Sequence, residues 1–280
     1  MDTTSKTGRK RMNDSPATFF ALTFLLSVPF YVLNALAHLG VIGEPEMGAL
    51  YVACFTVTPI ASASILTFRR SGARGLKQLL MRIFDFKRIS GRRWYAAILL
   101  LPPLIFLMSL GVMVLSGEPL PPALTPLVGL PAVLPFFFLL AAGEEVGWMG
   151  YAFEPMQARL GALWAALVLG VIWALWHLPF FVFLMPDPVV FGSEVLRLVA
   201  ARVLAAWIFN NTDKSVFAAI SFHAVDNTAL VTLPEILAVS PWGPAVLCGL
   251  FGVAAALVVA MWGPRTLARY RFADRVSPTG

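Results

Sequence analysis

Apolar runs of about twenty residues recur from one end of the chain to the other, and they leave very few architectures open. Such a run is long enough to cross a bilayer as a helix. In hydrocarbon no water is present to satisfy backbone N–H and C=O groups, so each crossing segment must pair them internally, and helices do this. The runs fall at 17–42, 47–68, 94–116, 129–156, 160–185, 194–211, 214–233 and 244–263. Hydrophobic residues make up 59% of the 280 and charged residues only 13%. An ordinary soluble domain carries about a quarter charged residues, so that class is excluded. The expected fold is all-α: a polytopic membrane bundle of about eight transmembrane helices, placed in the cell membrane as a multi-pass protein.

Charge fixes the expected orientation. Basic residues near span ends remain on the cytoplasmic side. With eight spans and a cytoplasmic N-terminus, nineteen of the 21 lysines and arginines fall on that side. The exceptions, Arg197 and Arg202, lie inside the sixth run. Both termini are therefore expected in the cytoplasm. The net charge of +6 is explained by topology, and no nucleic-acid partner is implied. The first run is too long for a cleaved signal peptide and is followed by no clean small-residue cleavage site. Residues 69–93 hold nine basic residues, with Leu76, Leu79, Leu80, Ile83 and Phe84 at helical spacing. That pattern predicts an amphipathic helix on an anionic leaflet. Pro102-Pro103 should kink the third span. Cys54 and Cys248 lie in apolar runs and suggest neither a disulfide framework nor a zinc knuckle. There is no visible internal repeat.

One place breaks the apolar pattern sharply. The run from Leu127 to Leu140 leads into Ala142-Gly143-Glu144-Glu145-Val146-Gly147-Trp148-Met149, and apolar residues continue to Phe153. An ionised side chain at membrane depth costs roughly 2.5–3.5 kcal/mol on insertion scales, so intramembrane acids usually mark a site. The plain alternative is a helix end at the headgroups with both carboxylates wet. Potential partners lie on other spans. His177 sits past the midpoint of the fifth, and His223 and Asn227, four residues apart, share one face of the seventh. His38, near the external end of the first span, reads as an interfacial residue.

These residues resemble the signature of the CAAX prenyl protease and bacteriocin-processing (CPBP) family of intramembrane endopeptidases. The family pattern is Glu-Glu-x-x-x-Arg, then aromatic-x-x-x-His, then His-x-x-x-Asn or Asp. Here the segments are Glu144-Glu145-Val146-Gly147-Trp148-Met149, Trp173-Ala174-Leu175-Trp176-His177 with Trp where Phe is usual, and His223-Ala224-Val225-Asp226-Asn227. The resemblance implies a catalytic core over 129–233. It would be preceded by a basic cytoplasmic tail (1–16) and by N-terminal helices with their basic loop (17–128). A last helix and a second basic tail (234–280) would follow. It implies peptide-bond hydrolysis, with Glu144, Glu145, His177, His223 and Asn227 as the catalytic set. Glu144 and His177 would activate a water, and His223 and Asn227 would meet the developing oxyanion. The implied partners are the lipid bilayer and a peptide or protein substrate, lipidated or membrane-embedded. No cofactor is expected; the alternative is zinc on Glu144, His177 and His223.

The departure from the pattern is Met149, which stands where the motif has Arg. A guanidinium there would pair and orient a carboxylate; Arg202 or Arg197 is the expected substitute, and Met149→Arg is expected to raise activity. The alternative reading is a catalytically weak or inactive relative that binds peptides or confers bacteriocin immunity. A transporter would also place Glu and His at the midplane, but with inverted repeats and broken helices in both halves. The topology itself is testable. A reporter that is active only in the cytoplasm should work when fused to either terminus, and silence at one end would require an odd number of crossings.

Overall fold

The computed structural model describes residues 15–42, 47–119, 129–232 and 240–268. The basic tail before residue 15, the turn with Glu44 and Glu46, the proline-rich segment at 120–128, residues 233–239 and Arg269, Arg271 and Arg275 lie outside them. Among the described residues the regular structure is helical, with no strand. The helices are α1 (Pro16–His38), α2 (Met47–Met81), α3 (Arg92–Leu115), α4 (Leu130–Gly147), α5 (Glu154–Leu160), α6 (Ala162–Leu184), α7 (Pro188–Asn211), α8 (Val216–Thr232) and α9 (Gly243–Trp262). A π-helical turn, Trp148–Phe153, joins α4 to α5, so the two form one long crossing segment. Six of the described segments are long and apolar enough to cross a membrane, and α8 is a shorter apolar helix. The chain is thus an all-α, multi-pass membrane protein.

The bundle is inside-out relative to a soluble protein. Leucines such as Leu100, Leu104 and Leu139 are exposed, whereas Glu144, Glu145, Arg197, Arg202, His177 and His223 are buried. Charged α7 is tolerated because its arginines face other helices: it packs on α6, α8 and α9. Polar contacts between segment ends show how the chain alternates. Arg82, just past α2, donates to Lys214 O ahead of α8 at 2.8 Å. Ala162 N, opening α6, donates to Arg265 O beyond α9 at 2.9 Å. At the opposite end, His38 stacks on Phe183 with ring centroids 4.2 Å apart, which fits its interfacial reading.

Local sequence explains the helix ends and joints. Asp187 caps α7 by accepting from Val189 N and Val190 N, with Pro188 in the first turn. The start of α8 is capped from outside: Asp85 accepts from Phe217 N at 3.0 Å and from the Ser215 hydroxyl at 2.7 Å. Pro179 interrupts the hydrogen-bond ladder of α6. Side chains of α1 compensate nearby, with Tyr31 donating to Trp176 O and Asn34 to Pro179 O.

The basic segment 69–93 differs from its sequence expectation. α2 runs on past the membrane-crossing part to Met81, bending at Gly72, and two 3-10 turns follow at Arg82–Phe84 and Phe86–Arg88. Most of the stripe is turned toward the protein: Leu79 is buried, and Leu80 and Ile83 pack on the core, whereas Phe84 is exposed. Arg69, Arg70, Arg74 and Lys77 stay exposed on the other side. The physical reason is that the π-turn and α8 offer an apolar surface that a leaflet would otherwise supply.

α2 and α4 form the closest large contact, and two glycines permit it. A Cβ on Gly143 would collide with the backbone of Thr56, and one on Gly147 would meet Phe19 and Pro59. Small residues at crossings let membrane helices approach closely. Gly143→Ala should therefore force α4 off α2. Overpacking of this kind costs about 1–3 kcal/mol, seen as a lowered melting temperature in detergent. An unchanged melting curve would mean that the crossing is looser than described.

Candidate active site

The two acids occupy the last turn of α4, immediately before the π-turn. Successive helix residues point about 100° apart, so adjacent carboxylates must address different neighbours. Glu144 turns to α6, where Trp173 Nε1–H donates to its Oε2 at 2.7 Å. Glu145 turns to α7 and α8. Its Oε2 accepts from Arg202 Nη1 at 2.7 Å and its Oε1 from His223 Nδ1–H at 2.9 Å. Both carboxylates are essentially excluded from solvent, Glu144 at 3% and Glu145 at 1% exposure. The headgroup reading of the acid pair is therefore ruled out.

Trp173 is the hub. Its indole holds Glu144, its carbonyl accepts from His177 Nδ1–H at 2.8 Å, and its ring lies 4.1 Å from the Arg202 guanidinium carbon. The His177 and His223 rings both stand edge-on to it, with centroids 5.1 and 5.2 Å away. A carbonyl can only accept, so His177 carries its proton on Nδ1 and presents Nε2 as an acceptor. Phe55, Trp176 and Phe181 surround the His177 ring. His223, with Nδ1–H on Glu145, likewise keeps Nε2 for other contacts. Glu145, Trp173, Arg202, Phe222, His223 and Asp226 line a narrow cleft.

Glu144, Glu145, His177 and His223 are thus brought together around one tryptophan. Asn227 lies one turn further along α8, half-buried, and makes no side-chain hydrogen bond among the described residues. Met149 is buried in the π-turn. The position of the missing motif arginine is four residues after Glu145, the spacing at which side chains meet on a helix. Arg202 reaches the same carboxylate from α7. Arg197 has other partners: Glu194 holds it bidentately at 2.7 and 2.8 Å, and Asp226 accepts from its Nη1 at 2.7 Å. Arg202 keeps Nε and Nη2 without partners among the described residues. Sequence reasoning missed Trp173 as a functional residue; the available signal was Trp in place of the usual Phe, which adds an N–H donor. Among the described residues no three His, Cys, Asp or Glu side chains are grouped closely enough to hold a metal ion.

The π-turn itself is braced. Arg82 Nη1 donates to Gly150 O at 2.8 Å, and its Nη2 lies 3.2 Å from Glu154. Such turns often sit at functional sites because they leave backbone groups outside the regular ladder.

Comparison with known proteins gives two matches. The family model described as Type II CAAX prenyl endopeptidase Rce1-like matches residues 125–229, a stretch that holds Glu144, Glu145, Trp173, His177, Arg202, His223 and Asn227. CAAX prenyl protease 2 of Methanococcus maripaludis is 27% identical over 216 residues, covering 72% of this chain and 78% of that protein. Three ordered motifs, the helical bundle that converges them and both matches point the same way: over residues 125–229 the chain is similar to the Rce1-like type II CAAX prenyl endopeptidases.

Proposed function

We propose that the chain is an active intramembrane endopeptidase in which Glu144 activates the attacking water. One observation carries this reading: two neighbouring carboxylates are given opposite surroundings. Glu145 is neutralised by Arg202 and His223, while Glu144 is held at one oxygen by a single neutral donor, leaving Oε1 for a water. Paired carboxylates with divergent environments are the usual mark of divided acid–base roles. In the proposed reaction Glu144 takes a proton as the water oxygen bonds to the scissile carbonyl carbon. His177, with Nε2 unprotonated, orients that water. The oxyanion is met by Asn227 Nδ2–H and by Nε2–H of His223 in its imidazolium form, whose charge Glu145 balances. Collapse breaks the C–N bond, and the proton passes from Glu144 to the departing amine. The substrate in this proposal is a peptide or protein segment, lipidated or membrane-embedded.

The metal-free form of the mechanism is supported by the spacing of the side chains: Glu144, His177 and His223 are not grouped closely enough to hold a metal ion. Arg202 favours the active reading over the catalytically weak or inactive relative, because it supplies Glu145 with the cation that Met149 cannot. The direct test is proteolysis by purified protein in lipid. Glu144→Gln should lower turnover by about 10²–10⁴-fold, the usual contribution of a general base. Chelators should leave the wild-type rate unchanged; a chelator-sensitive rate restored by zinc would replace this mechanism with a metal-assisted one. Peptide binding with no cleavage by either form would establish the inactive alternative.

The compensating arginine gives a second test. Arg202→Met leaves Glu145 buried without its cation and should cost about 3–5 kcal/mol of stability. Adding Met149→Arg should recover much of that loss. Met149→Arg alone should lower activity instead of raising it, since the carboxylate is already paired. A gain from the single substitution would show that Arg202 does not fill the motif role.

A further inference from the structure

A second cavity, of about 520 Å³, lies at the basic end of the bundle, between the start of α3 and the ends of α7 and α9. Arg93, Trp94, Trp207, Asn211, Trp262 and Ala268 line it. Its size falls in the range of small-molecule sites. Trp207 stands edge-on between Trp94 and Trp262, with centroids 5.1 Å away in each pair. It is 8% exposed, and its indole N–H has no acceptor among the described residues. Arg93 is exposed at the rim, its guanidinium 5.6 Å from the Trp94 ring, and makes no ion pair among the described residues. The far wall is pinned in place: Asn210 and Asn211 donate to Thr266 O and Leu267 O at 2.8 and 2.7 Å. The cavity therefore offers a fixed wall, an unpaired cation and a buried donor that lacks an oxygen.

We propose that this cavity binds the headgroup of an anionic phospholipid. Arg93 pairs with the phosphate, Trp207 Nε1–H donates to a phosphate or ester oxygen, and the Trp94 and Trp262 rings hold the glycerol. Position argues for a lipid over a free anion. Tryptophans gather at the membrane–water boundary, and basic pockets between transmembrane helices take lipid headgroups. Arg93, Ala97, Leu100 and Leu104 also follow one another along a single face of α3. Leu100 and Leu104 are exposed at 54% and 51%, so an apolar track for an acyl chain leads away from the cavity. The site stands apart from the acid pair and does not rest on the peptidase reading.

Native mass spectrometry tests it, using full-length protein in detergent micelles with equimolar phosphatidylglycerol and phosphatidylcholine. The wild type should retain phosphatidylglycerol preferentially. Arg93→Gln and Trp207→Phe should each weaken retention by roughly fivefold, the size of one interfacial charge or one hydrogen bond. Arg69→Gln, an exposed control on α2, should not. Trp207→Phe keeps an aromatic ring in place, so it decides the matter even where the arginine variant fails to fold. Retention in both variants equal to that of the control would overturn the proposal. Displacement of the lipid by glycerol phosphate or inorganic phosphate would overturn the choice of a lipid, as would equal retention of phosphatidylcholine.

Discussion

The buried ion pair between Glu145 and Arg202 is the contact on which the interior of this protein depends. A single charge placed in hydrocarbon is costly, and an opposite charge beside it offsets much of that cost. Here His223 takes the second oxygen of Glu145, and Trp173 lies against the guanidinium. That demand draws α4, α6, α7 and α8 to one point. A helix as polar as α7 stays within the bundle because this point exists. One turn away, Arg197 bridges two further acids, Glu194 and Asp226.

The arrangement also divides two chemically identical side chains. Adjacent residues on a helix cannot share surroundings, and α4 exploits this by presenting one acid to α6 and the other to α7 and α8. Glycines at positions 143 and 147 let α2 close the remaining side without displacing either carboxylate. The π-turn that follows lies in the core, and a largely buried arginine from the basic segment, Arg82, reaches one of its carbonyls.

Much of this was legible in the residues. Run lengths gave the helical plan, and charges interrupting those runs marked Glu144, Glu145, His177 and His223, which do gather. What remained hidden depends on helix rotation. Arg197 and Arg202 are five apart on α7, and nothing in their spacing says which one meets the acid pair. The stripe of leucines beyond α2 carries the periodicity of a leaflet-bound helix, yet the same periodicity serves packing on protein, and the π-turn supplied that surface. The π-turn has no sequence period of its own. Trp173 was visible as a departure from the family pattern, but its meaning required knowing that a carboxylate lay within reach of its nitrogen.

Because one indole contacts Glu144, Arg202 and both imidazole rings, these groups share a common pivot. A tryptophan side chain has only two torsions, so its thermal displacements carry its neighbours along instead of letting each drift separately. The spacing of these four side chains is then set by one packed ring, so a change at that ring would be felt by all of them together.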